Sequence, residues 1–266
     1  MKLRRVGCIA LAAFVVAGCR SPNPIPNQGD NTSSDRQRLL QERLRPGYRI
    51  TRPSLAGRAP LILFVSGCSG FSPPNYADRA DKLVRTGYVI VYVDFLRAHG
   101  IENACEGSGQ SISVQEIAEY VVAAATELRN ESYVEQNRVF AVGWSLGGGG
   151  VLSALNLIDA RSSPLTAVAA LYPACRDVGP WRASIPALVL LGEFDNIQPP
   201  EVCRALVQNV RLAAVQVRTY SAAHHAFDAI ELPVITELKK EPTVGYNPQA
   251  AREAWDTILK FFMDAA

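Results

Sequence analysis

Arg138-Val139-Phe140-Ala141-Val142-Gly143-Trp144-Ser145-Leu146-Gly147-Gly148-Gly149-Gly150 decides how the rest of the chain is read. Residues 138–142 are a short, β-rich apolar run, the pattern of a strand buried within a sheet. Gly143, Ser145 and Gly147 follow in the spacing G-x-S-x-G, and the apolar stretch 151–158 continues as a helix. The spacing has a steric cause. A serine on a tight strand-to-helix turn sits in strained backbone, and the chain two residues to either side passes so close that a Cβ would collide. The helix that follows aims its first N–H groups at negative charge developing beside the serine. A glycine-rich turn without chemistry has the same composition, so the meaning of the elbow depends on what else reaches the same rim of the sheet.

Outward from the elbow, Leu61-Ile62-Leu63-Phe64-Val65 and Tyr88-Val89-Ile90-Val91-Tyr92-Val93 are continuous apolar runs suited to strands covered on both faces. Further strands are expected over 165–171, 187–191 and 214–220, with an edge strand over 48–51. Helices are expected over 36–45, 76–85, 113 to about 129, 201–209 and 249–262. The third of these opens with a capping box, Ser113-Val114-Gln115-Glu116. Residues 229–247 have weaker periodicity and suit a flap. Strands alternating with helices predict an α/β fold: a mostly parallel sheet with helices on both faces, in one domain over residues 36–266. With 266 residues, 48 % of them hydrophobic, the chain is long enough to bury a full core.

The amino terminus reads as an export signal. Lys2, Arg4 and Arg5 precede an apolar run over 6–17 that is too short to cross a bilayer. Val16-Ala17-Gly18-Cys19 resembles the bacterial lipobox, so residues 1–18 are expected to be removed and Cys19 to be lipidated. The acyl chains would tether the protein to a membrane, facing the periplasm or the cell exterior. Residues 19–35, with Pro22, Pro24, Pro26 and Gly29 and no apolar periodicity, read as a flexible tether. Loss of the three signal cations turns the formal charge of +2 into −1, and no basic patch remains that would suit nucleic acid.

Export changes the meaning of the cysteines. Once Cys8 and Cys19 are set aside, Cys68, Cys105, Cys175 and Cys203 remain, an even number in an oxidising compartment. Three connectivities are open, of which joining sequence neighbours gives Cys68–Cys105 and Cys175–Cys203. No C-x-x-C spacing suggests a metal site.

A serine hydroxyl is a poor nucleophile at neutral pH and needs a base, itself oriented by a carboxylate. The elbow resembles the α/β-hydrolase pattern, in which acid and then histidine follow the nucleophile along the chain. Of the three histidines, His99 precedes Ser145 and reads as a surface or loop residue. The base is therefore His224 or His225, after the last strand. The acid comes from Gly192-Glu193-Phe194-Asp195, where Asp195 lies deeper in the loop and Glu193 reads as an orienting or exposed neighbour. Two backbone N–H groups are required for an oxyanion hole, and Leu146 and Cys68 are placed to supply them. A Cys68 disulfide would hold that loop rigid.

Together these stretches resemble the dienelactone hydrolase family of α/β-hydrolases. The resemblance rests on Ser66-Gly67-Cys68-Ser69-Gly70, residues 87–94, 143–148 and 192–195, Tyr172-Pro173-Ala174-Cys175, His225-Ala226-Phe227-Asp228 and Tyr246-Asn247-Pro248-Gln249-Ala250-Ala251. It covers about residues 48–264. In the family's Ala-x-His-(Gly or Ala)-Phe pattern, Ala223, His225, Ala226 and Phe227 match, which selects His225 and leaves His224 as a neighbour lining the pocket. The enzymes that named the family use a cysteine nucleophile and a glutamate in the oxyanion loop. This chain has Ser145, and no acidic residue over 61–70. The resemblance therefore implies a serine hydrolase of carboxylic esters or lactones, acting through an acyl-enzyme on small molecules, without cofactor or metal. The elbow also resembles that of cutinase-like polyesterases, and its Trp144 suits either the lining of an acyl pocket or packing on the sheet. A serine peptidase of the same fold, and a non-catalytic surface lipoprotein on a hydrolase scaffold, are the competing readings.

Overall fold

The structure, a computed structural model, describes residues 33–54, 57–71, 74–159, 161–180, 185–210 and 215–265. The expected signal, Cys19 and the tether up to residue 32 lie outside the described residues. The elements in chain order are α1 (Ser33–Leu44), a 3-10 turn (Arg45–Gly47), β1 (Arg49–Thr51), β2 (Ala59–Val65), α2 (Asn75–Arg85), β3 (Val89–Tyr92), α3 (Phe95–His99), α4 (Val114–Leu128), β4 (Val134–Trp144), α5 (Ser145–Ala154), β5 (Ala167–Leu171), β6 (Ala187–Gly192), α6 (Pro200–Gln208), β7 (Val215–Tyr220) and α7 (Pro248–Asp264). The sheet has the order β1-β3-β2-β4-β5-β6-β7. Edge strand β1 is antiparallel to β3 and every other pairing is parallel, as the alternation of strands and helices predicts.

The apolar strand runs are covered on both faces. Leu61, Leu63 and Val65 join one buried cluster with α1, α3, α4 and α5, while Ile62 and Phe64 join another with α2 and α7. Alternation along one strand thus feeds two cores, because successive side chains point to opposite faces. Phe64 is fully buried against Tyr92 and Trp144. Its truncation to alanine would cost about 3–5 kcal/mol through lost burial and the void left behind.

Four boundaries differ from expectation by three residues or more. Ser33, Ser34 and Asp35, read as the end of the tether, form the first turn of α1, where a carboxylate suits the positive helix end. Strand β4 starts at Val134, four residues early. Helix α5 starts at Ser145 itself and ends at Ala154, so the glycine run is its first half. A Cβ at Gly149 would meet the Ala174 carbonyl and one at Gly150 would strike Ile117 of α4, so the glycines let this helix lie close to its neighbours. The short helix α3 was not foreseen. Asp94 caps it by accepting from the Arg97 N–H, and Gly100 closes it with φ of 82°. His99 on that helix is half-buried against Tyr120.

The segment 229–247 holds no helix or strand among the described residues, consistent with a flap. It is fastened to the neighbouring loops. His225 bridges Val244 and Val234 bridges Tyr246. Asn196 donates to the carbonyls of Lys239 and Glu241 and accepts from the Thr243 N–H. Both expected disulfides are formed, Cys68–Cys105 and Cys175–Cys203, with Cα separations of 4.8 and 5.2 Å. Among the described residues no helix is long and apolar enough to cross a membrane.

Candidate active site

The site is assembled at the carboxyl ends of the central strands, where a parallel sheet leaves a crevice between loops. Ser145 stands at the end of β4 with φ of 49°. The elbow glycines are required there. A Cβ on Gly143 would overlap the Val151 side chain and the Gly147 carbonyl, and one on Gly147 would overlap the carbonyls of Val65 and Ser66. Tyr172, Ala222 and Ala226 are the other non-glycine residues of positive φ among those described, and all lie in the loops after β5 and β7. Strained backbone is thus concentrated at one rim of the sheet, each such residue costing on the order of 1 kcal/mol.

Three side chains meet at this rim. His225 Nε2 lies 2.9 Å from Ser145 Oγ, and His225 Nδ1 lies 2.8 Å from Asp195 Oδ2. Asp195 is 4 % exposed and His225 6 %, whereas Ser145 is partly open to solvent. The other Asp195 oxygen accepts from the backbone N–H groups of Ile197 and Gln198, at 3.0 and 2.7 Å. With Oδ1 occupied in this way, Oδ2 is aimed at the imidazole. The acid loop and the histidine loop touch closely, since a Cβ on Gly192 would meet the Ala223 and His224 carbonyls. Asn247 ties the histidine loop to α7. Its N–H donates to the Phe227 carbonyl, its Nδ2 to the Ala222 carbonyl, and its Oδ1 caps the helix by accepting from Ala250.

The oxyanion candidates lie beside the serine. The N–H of Leu146 is in the first turn of α5, where helix carbonyls do not reach. Gly67 packs against Ser145, a Cβ there falling 3.6 Å from the Ser145 Cβ. Its N–H donates to the Tyr76 hydroxyl at 3.2 Å, while the Cys68 N–H has no acceptor among the described residues. The Cys68 carbonyl accepts from Ala104 at 2.8 Å, so this loop is held by both a hydrogen bond and the bridge to Cys105.

Glu193 is exposed, one of the two readings open to it. His224, expected as a neighbour lining the pocket, does not line the site. It is fully buried, with Nε2 against the Glu237 carbonyl at 2.8 Å and Nδ1 without a partner. Trp144 does not line an acyl pocket either. It packs among Phe64, Tyr76 and Trp255, because the residue before the nucleophile still belongs to the strand and points into the core.

The structure adds a residue whose part sequence reasoning missed. Asp228, fully buried, accepts from Trp144 Nε1 at 3.2 Å, from Trp255 Nε1 at 3.1 Å and from the Tyr172 hydroxyl at 2.6 Å. Burial and then the Asp228 charge push the Tyr172 phenol well above its ordinary range, so it stays protonated and donating. The Tyr172 ring lies 4.7 Å from that of His225. The Asp228 network therefore braces the peptide just before the nucleophile and the face of the imidazole. Its only signal in the sequence is an aspartate three residues after the histidine, among rings far away along the chain.

The comparisons with known proteins bear on the family and the fold. The family model described as the dienelactone hydrolase family matches residues 47–266. No curated protein matches the chain. Among solved structures, it is similar to a dienelactone hydrolase-like promiscuous phosphotriesterase, P91, from metagenomic libraries (18 % identity, TM-score 0.64, covering 82 % of this chain and 92 % of that one). A dienelactone hydrolase from Anabaena variabilis aligns at 18 % identity and TM-score 0.59, covering 82 % and 90 %. A thermophilic esterase from Thermogutta terrifontis with propionate bound aligns at 14 % identity and TM-score 0.58, covering 82 % and 88 %. At such identities the structural likeness speaks for the fold, and the family match covers most of the chain. The chain belongs to the dienelactone hydrolase family, whose α/β-hydrolase fold it carries.

Proposed function

We propose that the protein is a serine esterase that cleaves carboxylic esters or lactones with Ser145, His225 and Asp195. The observation that carries this reading is the pair of hydrogen bonds, 2.9 and 2.8 Å, that joins the three side chains in series. His225 Nε2 takes the Ser145 proton as Oγ attacks the acyl carbon, and the Nδ1–H donates to Asp195, which stabilises the imidazolium. The developing oxyanion accepts from the N–H groups of Leu146 and Cys68, each worth about 3–4 kcal/mol in the transition state. The histidine then returns its proton to the departing alkoxide. Water, activated by the same imidazole, hydrolyses the acyl-serine and releases the carboxylate. Exposed Ile197 and Val244, next to Asp195 and bridged to His225, favour an ester with an apolar portion. We further propose export, with Cys19 as a lipid anchor, a reading supported by the apolar leader and by two disulfides.

Hydrolysis of p-nitrophenyl acetate by the wild type and by Ser145→Ala is the test. Wild type is expected to turn over with a burst of one p-nitrophenol per chain, and the variant to fall by about 10⁵–10⁶-fold in kcat. Equal turnover by both removes the proposal. Failure of a fluorophosphonate to label Ser145 in folded protein would favour the binding-lipoprotein reading instead.

A further inference from the structure

Arg79 is out of keeping with its surroundings. It lies on α2 and is 8 % exposed, and among the described residues no carboxylate pairs with it. Its Nε is buried with no hydrogen-bond partner, while its terminal nitrogens are not among the buried atoms left without one. The guanidinium stands 5.2 Å from the centre of the Trp255 ring. An arginine does not shed its proton, so one buried this far without an anion leaves part of its desolvation cost uncompensated. Stacking on an indole offsets only a part of this. Asp228, which accepts from the nitrogen of the same indole, does not serve as the missing partner, for its bonds go to Trp144, Tyr172 and Trp255.

Arg79 lines a cavity of about 390 Å³ between α2 and the start of α7. Lys82 and Arg252 line it too, against one carboxylate, Asp256, which is exposed. Lys82 is held by Asp78 at 2.7 Å, while Arg252 has no ion pair among the described residues. Trp255 and Leu259 supply an apolar wall. None of Ser145, Asp195 and His225 lines this cavity.

We propose that the cavity is a binding site for a small organic anion, a carboxylate or phosphate carried on an apolar body, separate from the site at Ser145. The Arg79 fork would take two oxygens of the anionic group, Arg252 would add a second charge at the mouth, and the apolar body would lie on Trp255 and Leu259. The volume is that of small-molecule sites at their lower end.

Calorimetric titration of the purified full chain with benzoate and, separately, with inorganic phosphate tests this without reference to turnover. Saturable one-to-one binding of at least one probe is expected; binding of benzoate alone names the carboxylate, and of phosphate alone the phosphate. Arg79→Gln should weaken binding by about tenfold or more, and Arg252→Gln, an exposed change that spares the core, by about threefold. Arg79→Lys keeps the charge and loses the fork, and carries the test should Arg79→Gln fail to fold. Ser145→Ala should bind as wild type does. The proposal is overturned if neither probe binds saturably at millimolar concentration. It also fails if the Arg252 and folded Arg79 variants bind unchanged, or if Ser145→Ala abolishes binding, which would put the anion at the reaction site.

Discussion

Asp195 and Asp228 are both buried, both belong to loops at the same rim of the sheet, and each accepts three hydrogen bonds, yet they are answered by different kinds of donor. Asp195 takes two backbone N–H groups from its own loop on one oxygen and turns the other oxygen to an imidazole. Asp228 takes all three from side chains: two indoles and a phenol, brought from β4, from the loop after β5 and from α7. The first carboxylate is set locally and faces an imidazole, the group that takes and returns a proton in the proposed mechanism. The second joins three elements through groups that keep their protons at neutral pH. On the proposed mechanism one buried charge serves the reaction and the other the architecture under it, and their donor sets differ accordingly.

The largest effect that separates them is on turnover. Asp195→Asn preserves shape but removes the charge that stabilises imidazolium and favours the wrong tautomer, so kcat for p-nitrophenyl acetate should fall by roughly 10⁴-fold. The midpoint of urea unfolding should hardly move. Asp228→Ala should do the reverse. Three donors, fully buried, would be left without an acceptor, at about 3–5 kcal/mol of stability by urea unfolding. Folded Asp228→Ala should lose about tenfold in kcat, through a less firmly held Ser145 and His225, with KM little changed. A thermally silent Asp228→Ala, or an Asp195→Asn that unfolds the domain, would break the distinction.

The same contrast explains what was legible in the sequence. Ser145, Asp195 and His225 each stand just after an apolar strand run, in an order that loop position and chain order can find, and the elbow glycines mark the sharpest turn. The parallel sheet followed from runs such as Leu61-Ile62-Leu63-Phe64-Val65, since a strand covered on both faces shows no alternation. The pairing of sequence-adjacent cysteines matched: Cys68, after β2, meets Cys105 in the loop after α3, and Cys175, after β5, meets Cys203 on α6. Asp228 was hidden. Its partners are 84, 56 and 27 positions away, and an indole nitrogen has no signature apart from the hydrophobic ring that carries it. Trp144 stayed open between pocket lining and packing on the sheet for that reason, and it is a core ring with a polar bond. The shift of α5 to Ser145 was equally out of reach, for glycine runs ordinarily oppose a helix and only close packing on Ile117 and Ala174 accounts for one here.

The smallest effect tests the donor side of the Asp228 network. Tyr172→Phe keeps the ring against His225 and removes one bond to a buried carboxylate, at about 1.5–3 kcal/mol of stability near neutral pH. The sign of its pH dependence is fixed by the raised phenol pKa in the fold. The wild-type contribution is fully present below the ordinary tyrosine value of 10.0 and is lost as pH climbs from there toward the folded value, because the unfolded chain releases the proton first. Phenylalanine has no proton to release, and the other tyrosines act alike in both proteins. The stability gap between wild type and Tyr172→Phe, read from urea midpoints between pH 8 and 11, should therefore stay constant up to about pH 10 and narrow beyond it. A gap that stays level to pH 11 would mean that the phenol ionises no later in the fold than in the unfolded chain, and that Asp228 is not held by the three neutral donors that set it apart from Asp195.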